Sequence, residues 1–336
     1  MTGISRLAKI LFMSMKRIGV FTSGGDAPGM NPAIRAVVRT ALSKKVEVIG
    51  ILHGYVGMIE NKMLPLQMRD MANIIQRGGT ILKTGRSMEF LKPEYRAIAA
   101  KNLQAQGIEG IICIGGDGSF RGAQALYAEH KIPVVGIAGT IDNDVYGTDD
   151  TIGFDTAVNT ALQAIDKIRD TADSHDRIFI VEVMGRNSGW IASHVGIAGG
   201  AEEILTADNV ITVDKIVENL KNSRARGKTS SIVITAEGQK PGRAYDLAEA
   251  IRKKSGLDAK VCVLGHQQRG GSPTAHDRIL ASRLANAAVE SLLAGRHNTM
   301  IGVQGDKLVE VPLDVVTTRE RTGDKTLINL ARVLSV

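Results

Sequence analysis

Two cysteines among 336 residues are too few for a disulfide framework. Cys113 and Cys262 both lie inside apolar runs and read as small buried hydrophobes rather than as a disulfide or a metal pair, with a reducing cytosol as the natural setting. Aromatic residues are scarce too, at 4%, and no basic run is interleaved with them, so the formal charge of +7 does not describe a nucleic-acid surface. The excess of base reads instead as attraction for anionic small substrates. Long apolar runs are also missing. Ile10-Leu11-Phe12-Met13 is far too short to span a membrane, and the N-terminal segment has no evident small-residue cleavage site. Met15-Lys16-Arg17, directly before the first apolar run, is a cleaner start, so residues 1–14 are expected to be a disordered extension or the product of a misplaced start codon. No internal repeat or low-complexity segment stands out.

Glycine is plentiful instead, 37 residues against 8 prolines, which suits many tight strand-to-helix turns around ligands. A chain of this length favours roughly two domains and buries about three quarters of its unfolded surface, so it needs neither disulfides nor a structural metal. Ile18-Gly19-Val20-Phe21 reads as a first buried strand, Thr22 to Gly29 as a glycine-rich turn, and Asn31 to Ser43 as the helix it opens. Val46–Leu52 is the next strand and Arg96–Gln106 a helix ended by Gly107. Two apolar strands follow, Ile111–Ile114 and Val134–Ile137. This alternation predicts an α/β chain with mainly parallel sheets. A long amphipathic helix over Asp155–Ser174, then strands at Ile178–Val183, Ser231–Thr235 and Ala259–Gly265, predict a second lobe over roughly 154–265. The helix from about Asp277 to Ala294 has no strand of its own there and is assigned back to the first lobe, with the C-terminal tail crossing again.

The most informative segments follow the strands at 111–114 and 134–137. Gly115-Gly116-Asp117-Gly118-Ser119 and Gly139-Thr140-Ile141-Asp142-Asn143-Asp144 should both sit at the carboxyl ends of neighbouring parallel strands, where open α/β sheets bind ligands. Glycines let backbone N–H groups approach phosphate oxygens, and Asp117 is a hard oxygen ligand suited to Mg²⁺. The plain alternative for the first segment is a glycine-rich hairpin with a turn aspartate. Gly24-Gly25-Asp26 after the first strand makes coincidence harder to sustain. Asp142 and Asp144 could equally be turn residues, for local hydrogen-bonding reasons. Beside a phosphate site, however, a carboxylate can take the proton of an attacking hydroxyl, and Asp142 is the candidate base.

Val183-Met184-Gly185-Arg186 and Gly265-His266-Gln267-Gln268-Arg269-Gly270-Gly271-Ser272-Pro273 place cations just beyond two further strands. A lone arginine is usually solvated surface, but glycines beside Arg186 and Arg269 permit close approach of phosphate to a guanidinium fork. His266 is as readily a satisfied, partly buried histidine as a ligand contact. Gly227-Lys228-Thr229 imitates the end of a P-loop, yet Asn222 stands where the first glycine belongs, so it is not one.

With these motifs in order on one chain, residues 15 to about 330 resemble the bacterial-type ATP-dependent 6-phosphofructokinases. The resemblance implies two Rossmann-like doubly wound lobes, 15–153 plus 266–317 for the nucleotide and 154–265 plus 318–336 for sugar phosphate and effector. It implies transfer of the ATP γ-phosphate to the 1-hydroxyl of fructose 6-phosphate in glycolysis, with Mg²⁺ held through Asp117. Asp142 is then the base, Thr140 and Asp144 position the reacting groups, and Arg186 steadies the transferred phosphoryl charge. Gly24, Arg86, Ser87, Gly116, Asp117, Gly118 and Ser119 match nucleotide contacts. Met184, Gly185, Glu237, Lys260, His266 and Arg269 match sugar-phosphate contacts. Arg177 matches one supplied across a subunit interface, which implies a homotetramer. Arg35, Arg39, Lys62, Arg169, Gly200, Glu202, Arg226 and Lys228 fall where family members bind ADP or phosphoenolpyruvate between subunits. Neither a nucleic-acid nor a membrane partner is expected.

Relatives that use pyrophosphate tend to carry Asp at the position of Gly118 and Lys at that of Gly139, filling space an ATP α-phosphate needs; both are glycine here, which favours ATP. Three departures stand out. Lys260 replaces a usual Arg and loses its bidentate fork. Ser87 stands where an aromatic is common, and Leu91 where Arg is frequent, with Lys92 next to it. Rival readings are a pyrophosphate-dependent enzyme, a catalytically silent sensor, and a basic nucleic-acid-binding module.

Overall fold

Runs of apolar residues long enough to be covered on both faces become interior parallel strands in the computed structural model of the chain, which describes residues 15–323 and 325–334. The extension expected over residues 1–14 lies outside the described residues. The chain begins with β1 (Arg17–Thr22), α1 (Met30–Ser43), β2 (Glu47–Ile51), α2 (Tyr55–Ile59), β3 (Met63–Leu66), α3 (Pro93–Ala105), β4 (Gly110–Gly115), α4 (Asp117–His130) and β5 (Val134–Ala138). It continues through α5 (Phe154–Ser174), β6 (Ile178–Val183), α6 (Trp190–Ala198), β7 (Glu203–Leu205), α7 (Val213–Ala225), β8 (Ser231–Ala236), α8 (Arg243–Ser255) and β9 (Ala259–Val263). Last come α9 (Ala275–Leu293), β10 (Thr299–Gln304), β11 (Lys307–Pro312), α10 (Leu313–Thr318) and α11 (Lys325–Leu334).

Two compact units result. The first comprises the described residues up to Thr140, Val145–Ile152 and Ser272–Glu320; the second comprises Ile141–Asp144, Gly153–Gly271 and the described residues from Arg321 on. Residues 266–271 and 141–144 thus group with the second unit rather than the first. The physical reason at 266–269 is that the 3-10 turn Gly265–Arg269 packs on α5. Helix α9 packs on α1 in the first unit. It is followed there by a strand, β10, which pairs in parallel with β5.

The first sheet runs β11-β10-β5-β4-β1-β2-β3, parallel except for β3 and β11, which pair antiparallel at its two edges. The second runs β7-β8-β6-β9, with every pairing parallel. The expected α/β class with mainly parallel sheets therefore holds. Strand order places a topological switch beside β1 in the first sheet, where β2 lies on one side and β4 on the other. A second lies beside β6 in the second sheet, between β8 and β9. Crevices at such switches are where open sheets take ligands.

In the first unit Tyr55 stacks on Phe90 (centroids 4.0 Å apart) and meets Phe21 edge-on (5.0 Å), while its hydroxyl donates to the Ser119 carbonyl. Gly122 makes the notch for that ring: a Cβ there would lie 2.9 Å from it. The first turn of α4 is thus anchored from inside. Arg96 and Glu129 join α3 to α4 through a two-pronged pair, Nε to Oε2 at 2.7 Å and Nη2 to Oε1 at 2.5 Å. Cys113 is buried against Tyr55, and burial pushes its thiol up to about 12. Cys262, expected to be buried as well, is half-exposed because β9 is an edge strand. Among the described residues no helix is long and apolar enough to cross a membrane.

Candidate active site

The register Thr22↔Ile114 and Gly115↔Ala138 aligns the carboxyl ends of β1, β4 and β5, so the three glycine turns of the first unit share one sheet edge. Gly24 adopts φ +87, and its carbonyl accepts the Thr84 hydroxyl at 2.8 Å. Gly116 precedes the first turn of α4 and Asp117 stands in that turn, where the helix dipole favours a negative charge. Burial raises the Asp117 pKa, the Arg121 guanidinium opposes that, and Glu320 adds to it. One carboxylate oxygen pairs with Arg121; the other, Oδ1, is buried with no hydrogen-bond partner among the described residues. No group of three or more acidic, His or Cys side chains there is arranged to hold a metal. A lone hard oxygen of this kind suits Mg²⁺, which takes one or two carboxylates and completes its shell with phosphate and water.

Gly118 is exposed, and a Cβ there would meet nothing within 4 Å, whereas one at Gly139 would sit 3.1 Å from Ile114 and 3.4 Å from Met30. Thr140 is half-buried beside Gly116, and its carbonyl accepts the Thr151 hydroxyl at 2.6 Å. Ser119 turns inward and is buried against the backbone of Gly115. Ser87 spends its hydroxyl on the Phe90 N–H at 3.2 Å, while Arg86 is exposed.

The second unit gathers the acid and the arginines. Asp142 is 6% exposed. Burial lifts its pKa above the ordinary carboxylate value, and Arg269 and then Arg186 pull it back. Both arginines therefore act electrostatically on the same carboxylate. Its main chain is pinned: the Asp142 carbonyl accepts the Ser188 hydroxyl at 2.8 Å, and the next carbonyl, Asn143, accepts Arg321 Nη1 at 2.9 Å. Asn143 sits at φ +50, a left-handed conformation that Asn tolerates better than most residues. Arg186 does the same at φ +47, just past buried Met184 and left-handed Gly185. The Arg186 main-chain N–H donates to Glu237, whose pKa is raised by burial first and by Asp142 as well. Asp144 is half-buried.

The register Val181↔Cys262 brings the ends of β6 and β9 side by side, carrying Arg186 and Arg269 respectively. His266 is exposed, not partly buried, because the 3-10 turn directs it outward while Gln268 points in. Lys260, expected at the sugar phosphate, pairs with Asp258 at 2.7 Å on the exposed edge strand; Arg177 is exposed at the start of β6.

Of the effector candidates, Arg169 donates to the carbonyls of Gly199 and Gly200, and Lys228 pairs with Glu202, which is buried and also accepts the Ile232 N–H. Glu202 is thereby engaged by two protein partners. Arg226 and Glu202 border a cavity of about 510 Å³, and Arg169 and Lys228 one of about 730 Å³. In the first unit Arg35 and Arg39 lie one turn apart on α1; burial, then Arg39, lowers the Arg35 pKa. Lys62 pairs with Glu60 at 2.6 Å. Sequence reasoning missed Arg121, which pairs with Asp117 one turn back on α4, and Ser188, Trp190 and Arg321, which carry no motif and act through contacts distant along the chain.

A family model described as "Phosphofructokinase" matches residues 17–292. The chain belongs to the phosphofructokinase family. "ATP-dependent 6-phosphofructokinase 1" of Thermus thermophilus is 60% identical over 322 residues, 96% of this chain and all of that protein. The "ATP-dependent 6-phosphofructokinase" of Bacillus cereus is 50% identical over the same share of each. Among solved structures, the phosphofructokinase from Saccharomyces cerevisiae matches with a TM-score of 0.85 at 36% identity, covering 95% of this chain and 46% of that one. This chain thus spans a little under half of the yeast chain. A pyrophosphate-dependent phosphofructokinase from Marinobacter aquaeolei matches with a TM-score of 0.81 at 24% identity, over 92% of this chain and 85% of that one, and shares the fold. The resemblance read from the motifs holds, and the chain is an enzyme of this kinase family.

Proposed function

We infer that the chain is an ATP-dependent 6-phosphofructokinase, moving the γ-phosphoryl group of ATP to the 1-hydroxyl of fructose 6-phosphate. The observation that carries this reading is 60% identity along 96% of the chain with a bacterial enzyme of that name. The 1-hydroxyl oxygen bonds to the γ-phosphorus as the bond to the bridging oxygen breaks, ADP leaves, and the hydroxyl proton passes to Asp142. A carboxylate lifted above its ordinary pKa by burial is a stronger base than one in water, which supports that role. Arg186 stabilises the charge on the transferred group, with Arg269 and Glu237 on the sugar phosphate. Thr140 and Asp144 position the reacting groups. The glycine turns at 24 and 116–118 leave space for the nucleotide phosphates.

Mg²⁺, when bound, neutralises phosphate charge; Asp117 holds it through the buried Oδ1 that lacks a protein partner. ATP is the donor because Gly118 opens onto empty space at the start of α4, where a carboxylate would repel phosphate. The protein works in glycolysis in the cytoplasm as a homotetramer, with Arg177 serving a neighbouring subunit. ADP or phosphoenolpyruvate binds at Arg35, Arg39, Lys62, Arg169, Gly200, Glu202, Arg226 and Lys228. The pairing of Lys260 with Asp258 weakens its part in sugar-phosphate binding. The test is the rate of fructose 6-phosphate phosphorylation with Mg²⁺ and either ATP or pyrophosphate. Turnover with ATP alone is expected; turnover with pyrophosphate alone overturns the donor assignment, and none with either overturns the reading.

A further inference from the structure

We propose that Arg321 is a positioning residue for the Asp142 loop, locked in place by the indole of Trp190. This rests on the reading of Asp142 as the base. Arg321 lies 178 positions beyond Asn143 in sequence, where the chain re-enters the second unit, yet its Nη1 donates to the Asn143 carbonyl at 2.9 Å. Its guanidinium centre stands 4.1 Å from the centroid of the Trp190 ring, close enough for a stacked cation–π contact. Trp190 opens α6 directly after the turn that holds Arg186 and Ser188. The loop is therefore held from two sides. Ser188 Oγ takes the Asp142 carbonyl at 2.8 Å, and Arg321 takes the next one.

Two consecutive carbonyls anchored on separate segments fix both peptide planes around Asn143, and with them the direction in which the Asp142 side chain leaves the backbone. The anchoring offsets a cost, since a left-handed Asn at φ +50 needs its surroundings to hold it. Trp190 matters because a guanidinium held 4.1 Å from a ring centroid is restricted in how it can swing its rigid donor fork away from the carbonyl. Lysine has no such fork, so charge alone does not reproduce the contact. The hydrogen bond from Arg321 to the loop ends on a main-chain carbonyl, so it acts on the base through backbone geometry.

The experiment uses the full chain with Arg321→Met, Arg321→Lys, Trp190→Ala and the Arg321→Met/Trp190→Ala pair, measuring kcat and KM with ATP and fructose 6-phosphate, and hydrogen exchange by mass spectrometry. Arg321→Met is expected to lower kcat about 10- to 100-fold, as loss of alignment does. KM for fructose 6-phosphate should move less than about threefold, the pattern of an interaction that serves the reacting geometry. Exchange should quicken in the peptide carrying 141–144 while β6 and β8 keep their protection. Trp190→Ala should reproduce part of the loss, and the double variant should be no worse than Arg321→Met, because the two residues act as one unit. Arg321→Lys, the variant least disturbing to folding, should still show faster exchange at 141–144. Unchanged exchange in Arg321→Lys and Arg321→Met, a kcat within about twofold of wild type, or losses that multiply in the double variant overturn the proposal. If wild type itself fails to phosphorylate fructose 6-phosphate, the functional reading falls and exchange at 141–144 alone decides the anchor.

Discussion

Replacing Asp142 by Asn separates chemistry from structure more cleanly than any other change in this chain. Asn keeps the size and shape of the side chain but cannot accept a proton. The contacts that fix the loop run through the main-chain carbonyls of Asp142 and Asn143, which the substitution leaves in place. Loss of a general base costs about 10²- to 10⁴-fold in rate, or about 3–5.5 kcal/mol of barrier at about 1.4 kcal/mol per decade. KM for fructose 6-phosphate should change little. Stability should move the other way. Burial, the largest influence, places the folded pKa of Asp142 above the ordinary 3.8 of the unfolded chain, outweighing Arg269 and Arg186. A raised carboxyl pKa means that wild-type stability is highest below the unfolded value and falls as pH rises through the folded one. At neutral pH the wild type carries that full cost and the Asn variant does not. Asp142→Asn should therefore melt at or above the wild-type temperature at neutral pH, with its advantage shrinking as pH falls through the raised folded pKa and gone below the ordinary value of 3.8. Coupled-assay kinetics and calorimetry at two pH values make the test. A kcat within about tenfold of wild type, or a variant less stable at neutral pH that gains on acidification, would refute the reasoning.

Three further outcomes are expected. Because Arg269 holds the Asp142 pKa down against burial, Arg269→Met should shift the acid limb of the kcat/KM–pH profile to higher pH; a shift to lower pH contradicts the assignment. A Cβ at Gly118 meets no atoms within 4 Å, so the melting temperature of Gly118→Asp should stay near wild type while kcat/KM with ATP drops by about tenfold or more through charge repulsion at the phosphate turn. Unchanged ATP kinetics would remove Gly118 from the donor site. Glu129 is held below its ordinary pKa chiefly by its hydrogen bond from Arg96, so the stability of that pair is present above the unfolded value near 4.5 and lost as pH falls through the folded one. Arg96→Met should cost about 1.5–3 kcal/mol at neutral pH, a cost that shrinks in acid, as denaturant titrations at the two pH values will read.

Interior strands were legible because burial on both faces writes them as unbroken apolar runs: β4 is wholly buried, and β1 nearly so. The edge strands were not. Residues of β3 and β11 are mostly open, and Pro65 sits in β3, so neither forms a run that stands out from a loop. Strand β10 was missed although it is apolar, because its partner β5 lies more than 150 residues earlier and pairing of that kind leaves no local trace. The same division holds at the site. Asp117 and Asp142 announce themselves as carboxylates in glycine-rich turns at strand ends, since turn chemistry is local. Ser188, Trp190 and Arg321 do not, since what defines them is a contact across the tertiary structure. Lys260 shows the limit of pattern transfer: a cation at the matching position is engaged by the Asp258 two residues before it.

The interrupted path of the chain through its two units bears on how the molecule is made. The first unit draws on residues up to Thr140, then Val145–Ile152, then Ser272–Glu320, so its sheet lacks β10 and β11 until nearly the whole chain has left the ribosome. The sheet of the second unit, by contrast, is complete once Val263 has emerged. Synthesis thus delivers the parts out of step. The nascent first unit waits with the flank of β5 bare, an open parallel edge, while more than a hundred further residues are added. Long-range parallel pairing is slow even in a finished chain. That interval leaves a parallel strand edge of this protein unpaired, the kind of surface through which partly folded chains associate.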